Sequence, residues 1–322
     1  MAPDTHLDPA AQAARAAAAL GHAQARLELL TPEASARRYW RLHAEEGPRW
    51  LLVTGGPPPQ ATTSFLRGLK LRAPKLGDAT EEAYLVQDLG DRHLADDPHP
   101  ARYNALLEDW LRFSFEELPE HHPNRALALD RQLFLRELRQ FADSYLHDWR
   151  GLELPAADWE DLHAALRLGA GESAVGPSSL QHRDFHSRNL LIPDAAAPVW
   201  IDHQDLRRGP VFYDLASLLT DAYVDLPRTM VRRLCAEVEL IARTLGLGFR
   251  PAQEQFLQVA WQRLLKALGT FGKLLTAGRL EYAAMEQRAL GHVAMLQELG
   301  PVPGWVLPFL PHLEAKPEDD EE

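Results

Sequence analysis

The sequence predicts an α+β protein of two lobes, a small antiparallel β lobe followed by a larger, mainly helical lobe. Three observations predict it. Residues 25–54 hold three short runs, partly aromatic or β-branched and broken by turn residues, which suit antiparallel strands. From residue 102 onward, apolar residues recur at three- and four-residue spacing over long stretches, the mark of helices with one buried face. Within that helical half, Gln181–Leu219 carries two short apolar runs, Leu190–Ile192 and Val199–Ile201, separated by a Pro/Asp/Ala turn. That segment reads as a loop, a tight hairpin and a second loop.

Taken in order, the Ala-rich stretch Pro9–Leu20 predicts a first helix. Ala25–Leu30, Ala36–Leu42 and Arg49–Thr54 predict a meander, which Gly55-Gly56-Pro57-Pro58-Pro59 ends because proline cannot continue a ladder. A brief helix around Thr63–Leu69 and a strand at Tyr84–Val86 follow, and Gln87–Asp91 reads as the crossing to the second domain. Helices are predicted over Arg102–Phe115, Leu127–Leu146 and Trp159–Leu168, then over Val211–Ala222, Arg228–Leu245, Pro251–Leu275 and Leu280–Leu299. The domain division expected from this is 1–88, 89–313 and an acidic tail over 314–322.

Composition narrows the function classes. A chain of 322 residues can bury a core in each of two lobes, and 46% hydrophobic with 25% charged residues is ordinary for a globular protein. No apolar run approaches the ~20 residues that span a bilayer, and the N-terminus lacks a signal-peptide pattern. Cys235 is the only cysteine, so no internal disulfide forms, and the expected location is the cytoplasm. The net charge of −12 argues against nucleic acid and anionic membranes as partners. Part of that charge sits in Glu314–Glu322, which carries six acids and one lysine and is expected to be solvated and disordered. No obligatory protein partner is evident.

The chemistry lies in Gln181–Leu219. His182, Asp184 and Asn189 stand in the order H-x-D-x-x-x-x-N, and Asp202 follows the hairpin on an apolar strand. One Asp to orient or accept a hydroxyl proton, with an Asn and a second Asp as hard oxygen ligands for Mg²⁺, is what phosphoryl transfer from ATP requires. Gly209-Pro210 and Tyr213-Asp214-Leu215-Ala216 then lead into a helix.

This arrangement resembles the aminoglycoside phosphotransferase and choline kinase superfamily, a branch of the protein-kinase-like fold. Within it, the chain is most similar to the bacterial cell-wall amino-sugar kinases, which phosphorylate N-acetylmuramate and N-acetylglucosamine at the anomeric hydroxyl. The likeness is carried by Ala34–Arg41, by Leu135–Leu138 with Phe141 and Tyr145-Leu146, by His182–Asp214 and by Ala267–Phe271. The resemblance implies Asp184 as the catalytic residue and Asn189 and Asp202 as Mg²⁺ ligands. It implies nucleotide contacts at Ser35 and Arg37, with adenine near Gln87 and Leu89. Glu137, His186, His203 and Asp205 are candidates for the acceptor site, with packing open for His186 and a helix-surface ion pair open for Glu137 and Arg136. His182 and Asp214 would be structural, Asp214 accepting backbone N–H groups and bracing the catalytic loop.

The departure from the pattern lies in the β lobe. Leu51–Gly55, the expected third strand, has no lysine to hold the nucleotide phosphates, and the turn Thr31–Ser35 has no glycine. A pseudokinase that binds without turnover therefore stays open. So do aminoglycoside, choline and other small alcohols as acceptors. A zinc hydrolase built on His182, Asp184 and His186 is the rival from another class, although no H-E-x-x-H or cysteine ligands accompany it. His121-His122 is expected to be a solvated loop pair.

Overall fold

Short alternating strands need a cover for their apolar face, and the Ala-rich first helix supplies it. The computed structural model describes residues 8–30, 37–44, 47, 49–246 and 252–313. It divides into two compact units, Met1–Leu94 with Leu190–Gln204, and Ala95–Asn189 with Asp205–Glu322. The linear division at 88/89 differs from this one. The hairpin from the middle of the chain belongs with the sheet, because its backbone bonds to the chain around Arg72 and Arg92 rather than to helices.

In the sheet unit, helix α1 (Pro9–Ala19) starts at Asp8, whose carboxylate accepts from Ala10 N at 3.3 Å, with Pro9 in the first turn. Strands β1 (Arg26–Leu29), β2 (Arg38–His43), β3 (Trp50–Thr54), β4 (Leu76–Ala79) and β5 (Ala83–Gln87) form one antiparallel sheet in the order β1-β2-β3-β5-β4. Period-two alternation in β2 buries Trp40 and Leu42, which join Leu52, Leu85 and the Ala13–Ala17 face of α1 in one core. Alanine lets that helix approach the sheet closely. Helix α2 (Gln60–Gly68) follows the proline run and is only 9 residues long.

The hairpin pairs β7 (Leu190–Leu191) with β8 (Val199–Trp200), in register Leu190 to Trp200. Trp200 N donates to Arg72 O at 2.8 Å and Ile192 N to Arg92 O at 2.9 Å, while the Arg72 guanidinium holds the Asp194 carboxylate in the turn. Beyond β5, Arg41 clamps both Asp88 and Asp91, fixing the segment that leaves the sheet.

The helical unit contains α3 (Pro100–Ser114), α4 (Arg131–Gln140), α5 (Ala156–Ala174), α6 (Tyr213–Leu219), α7 (Arg228–Thr244), α8 (Ala252–Thr276) and α9 (Ala283–Leu299). Its largest helix, α8, is buried along most of its 25 residues and runs through the middle of the unit. The helix expected over Leu127–Leu146 differs in three ways. Asp130 caps it by accepting from Leu133 N at 2.8 Å, so α4 begins at Arg131. Leu127–Leu129 is extended and bonds to Arg208. Past Gln140 the coil widens to a π-helix over Phe141–Trp149. Helix α5 is longer than the sequence suggested.

Two strands went unforeseen in this unit, β6 (Ser178–Gln181) and β9 (Arg207–Pro210), which pair antiparallel. In the sheet unit β4 was also unforeseen. His122 is buried rather than solvated, at 5% exposure, with its Nδ1 accepting from Asn124 N at 3.1 Å. Ser35, Ala36, Pro251 and the tail 314–322 lie outside the described residues. No helix among the described residues is long and apolar enough to cross a membrane.

Candidate active site

Strand β6 delivers the H-x-D-x-x-x-x-N loop. Gln181, its last residue, pairs with Arg207 of β9, and its side chain accepts from Asp214 N at 2.9 Å. The Asp214 carboxylate, in the first turn of α6, returns the bond twice, accepting from His182 N at 2.5 Å and Arg183 N at 3.0 Å. Burial raises the Asp214 pKa to about 7, and those two backbone N–H groups oppose the rise. They also hold Arg183 at φ 84°, a left-handed conformation that a non-glycine residue keeps only when its surroundings impose it. The turn it makes presents Asp184.

The rest of the loop is tied down by side chains. Ser187 N donates to Asp221 Oδ2 at 2.6 Å, and Tyr223 N donates to Asp221 Oδ1 at 2.8 Å. Asp221 is 3% exposed, and burial raises its pKa. Asn189 Nδ2 donates to Asp184 O at 2.8 Å, which turns the amide so that Oδ1 is left as its acceptor.

Asp184 opens onto a cavity of about 110 Å³ in the helical unit, shared with His186, Thr220, Tyr223, Arg263, Lys266 and Phe271 among others. Lys266 Nζ lies 2.8 Å from Asp184 Oδ1, and an Arg263 guanidinium nitrogen lies 3.7 Å away. Burial would push the Asp184 pKa up. Lys266, Arg263 and Arg183 together outweigh it and hold the carboxyl well below the usual range. Burial, with Arg263 and Lys266 pushing the same way, lowers His186 to about 3, so its imidazole is neutral. Its ring lies 5.2 Å from that of Tyr223.

Of the other residues singled out from sequence, Glu137 accepts from Gln262 Nε2 at 2.9 Å and lies 3.9 Å from Lys266, within reach of the same charge cluster. Asp205 is held by Arg183 and by Arg207 and stands outside the lining of the Asp184 cavity. His182 is buried against Phe185. Arg263 and Lys266 escaped the sequence reading. Their signal was limited to two cations three residues apart within the apolar run of α8 that leads into Ala267–Phe271.

In the sheet unit, Asp202 is exposed at φ 55°, with Gln204 Nε2 donating to its carboxylate at 2.6 Å. His203 is buried and bonds Thr63 of α2 at 2.8 Å. Gln87 and Leu89 share the lining of a cavity of about 330 Å³ with Arg67, Lys70 and Arg72. Arg37 donates to Pro57 O at 3.4 Å, just past the proline-rich end of β3.

Asn189 in the helical unit and Asp202 in the sheet unit each carry a side-chain oxygen of the hard type that Mg²⁺ takes. Among the described residues, no three or more His, Cys, Asp or Glu side chains gather into a metal-binding group, which removes the support for a zinc site at His182, Asp184 and His186.

Two buried histidines give the fold an acid limit. Burial lowers His186 to about 3 and His292 to about 4, both below the ordinary 6.5. At these two sites the unfolded chain binds more protons, so the stability they contribute above pH 6.5 is lost as the pH falls toward 4, while the raised Asp214 carboxyl acts in the opposite direction over the same window. Thermal melts of His292→Gln are therefore expected to lose less midpoint across that window than those of the parent. Parallel curves would remove His292 from the account.

The chain is 31% identical over 258 residues to the N-acetylmuramate/N-acetylglucosamine kinase of Pseudomonas aeruginosa, covering 75% of each protein. A choline/ethanolamine kinase family protein from Mesorhizobium loti superposes with a TM-score of 0.54 at 13% identity, over 94% of this chain and 98% of that one. A thermostable aminoglycoside phosphotransferase, in ternary complex with ADP and hygromycin B, superposes with a TM-score of 0.53 at 16% identity, over 89% and 98%. These two show that the fold is kinase-like, an antiparallel sheet of five strands with a larger helical part. The profile of the phosphotransferase enzyme family matches residues 3–247, and with the braced Asp184 loop this chain belongs to that family.

Proposed function

We propose that this phosphotransferase is an ATP-dependent kinase of N-acetylated amino sugars, transferring the γ-phosphoryl group to the anomeric hydroxyl in cell-wall recycling. The observation that carries the acceptor class is the lining of the Asp184 cavity. Its carboxylate shares that space with Lys266 and Arg263. A polycationic aminoglycoside would meet two like charges there, beside the carboxylates of Asp184 and Asp221, whereas a neutral sugar would meet none. The names borne by the relatives at 26–31% identity point the same way.

In this function Asp184 receives the acceptor hydroxyl and takes its proton as the oxygen bonds to the γ-phosphorus and ADP departs. A low pKa is no obstacle, because the loose transition state asks little of a base. Asn189 and Asp202 would hold Mg²⁺, which supplies charge neutralisation on the phosphates when bound. Arg37 would stand in for the lysine that β3 lacks, and Gln87 with Leu89 would receive the adenine. Ser35 remains a candidate phosphate contact. Asp214 and Asp221 keep the loop in shape, so positioning supplies most of the rate.

The test is ADP release from MgATP in the presence of N-acetylmuramate, N-acetylglucosamine, choline or kanamycin. Turnover on the two sugars is expected. Turnover on choline or kanamycin alone would sink the acceptor assignment, and absence of both turnover and nucleotide binding would make the missing strand lysine decisive.

A further inference from the structure

Phosphoryl transfer does not by itself call for a lysine on the acceptor-facing Asp, yet Lys266 donates to Asp184 at 2.8 Å. The two cations of this cavity differ in freedom. Arg263 is buried and committed, donating to Tyr213 Oη at 3.0 Å and Ser217 Oγ at 2.8 Å. Lys266 rises from α8 on a flexible four-carbon stem, with three donors on a compact charge and a side chain 17% exposed. Glu137 Oε1 lies 3.9 Å from Lys266, beyond hydrogen-bond range. Asp221, also in the lining, accepts backbone N–H groups with both oxygens. Lys266 engages one oxygen of Asp184, Oδ1, so an acceptor hydroxyl received on the same carboxylate would lie beside the ammonium, whose remaining donors can reach a further anion.

We propose that Lys266 reads a carboxylate on the acceptor, its ion pair with Asp184 being a resting position. An acidic sugar brings that anion with it as its hydroxyl reaches Asp184. A neutral sugar leaves those donors of Lys266 unused. This rests on the kinase function proposed above and narrows it, making acidic amino sugars the preferred acceptors.

The experiment compares kcat/KM for N-acetylmuramate and for its methyl ester, which removes the charge and adds one methyl group, in the parent chain, Lys266→Met and Lys266→Arg. A charge-assisted bond predicts an acid-over-ester ratio of about ten- to hundredfold in the parent. Lys266→Met should bring the ratio to about one, and Lys266→Arg should keep most of it. A parent ratio near one, or a ratio unchanged in Lys266→Met, overturns the role. The ester arm uses the unaltered chain, so a variant that folds poorly cannot conceal a failure. A parent that phosphorylates acid and ester equally overturns the role of Lys266 alone; one that phosphorylates no sugar overturns the kinase function as well.

Discussion

Asp184→Asn is expected to lower kcat about a thousandfold while changing nucleotide affinity less than about threefold. Asn keeps the size of the side chain and can still touch a hydroxyl, but it cannot take the proton, and such a group contributes ~10²–10⁴ in rate. The loop should survive the change, because the bonds that shape it run through Asp214, Asp221 and Asn189 rather than through the Asp184 carboxylate. Steady-state turnover at saturating substrates, with nucleotide binding by calorimetry, checks both halves. A kcat within tenfold of the parent would take Asp184 out of the chemistry.

The largest stability loss is expected at Gly272→Ala. Gly269 and Gly272 stand three residues apart on α8, on one face, where the helix meets the wide turn of Phe141–Trp149. A Cβ at Gly272 would sit 2.5 Å from Ser144 O and 2.6 Å from Tyr145 Cα. At Gly269 it would sit 2.7 Å from Phe141 N. These are backbone atoms, so no rotamer change relieves the clash. Alanine gains about 1 kcal/mol of helix propensity over glycine, yet overpacking of this kind should leave a net loss of about 3 kcal/mol. Gly291→Ala in α9 is the control, since a Cβ there meets nothing within 4 Å and propensity alone should act. Urea unfolding of the three proteins measures the difference. Equal midpoints for Gly272→Ala and the parent would mean that the two helices separate without cost.

What the sequence revealed and what it hid follow from the same physics. The meander and the late helices were legible because each buries one face and so repeats with a fixed period, and the hairpin because two short apolar runs flank a turn. Strands β6 and β9 were not, since SSLQ and RRGP carry no alternation and one ends in Gly-Pro. They become strands by bonding to each other, a long-range fact that no local window contains. The end of α4 was hidden likewise, because the coil widens at the close approach of α8, more than a hundred residues away. Of the candidate residues, Asp184, Asn189 and Asp202 could be proposed from spacing. Arg263 and Lys266 could not, since a cation on a helix is ordinarily solvated and only the fold turns these two inward.

The hairpin at 190–204 has a consequence for anyone who would take this protein apart. Its residues belong to the sheet unit but are encoded in the middle of the helical one, so the chain passes between the two at 94/95, 189/190 and 204/205. A gene cut after residue 94 would yield a sheet without β7 and β8, and its remainder would carry an orphan hairpin whose bonds to Arg72 and Arg92 are missing. The two halves could meet again only by complementation in trans, as a split enzyme. Asn189 stands at one of these passages and Asp202 only two residues before another, so insertion of even one residue there would shift a residue proposed to hold Mg²⁺ rather than merely lengthen a loop.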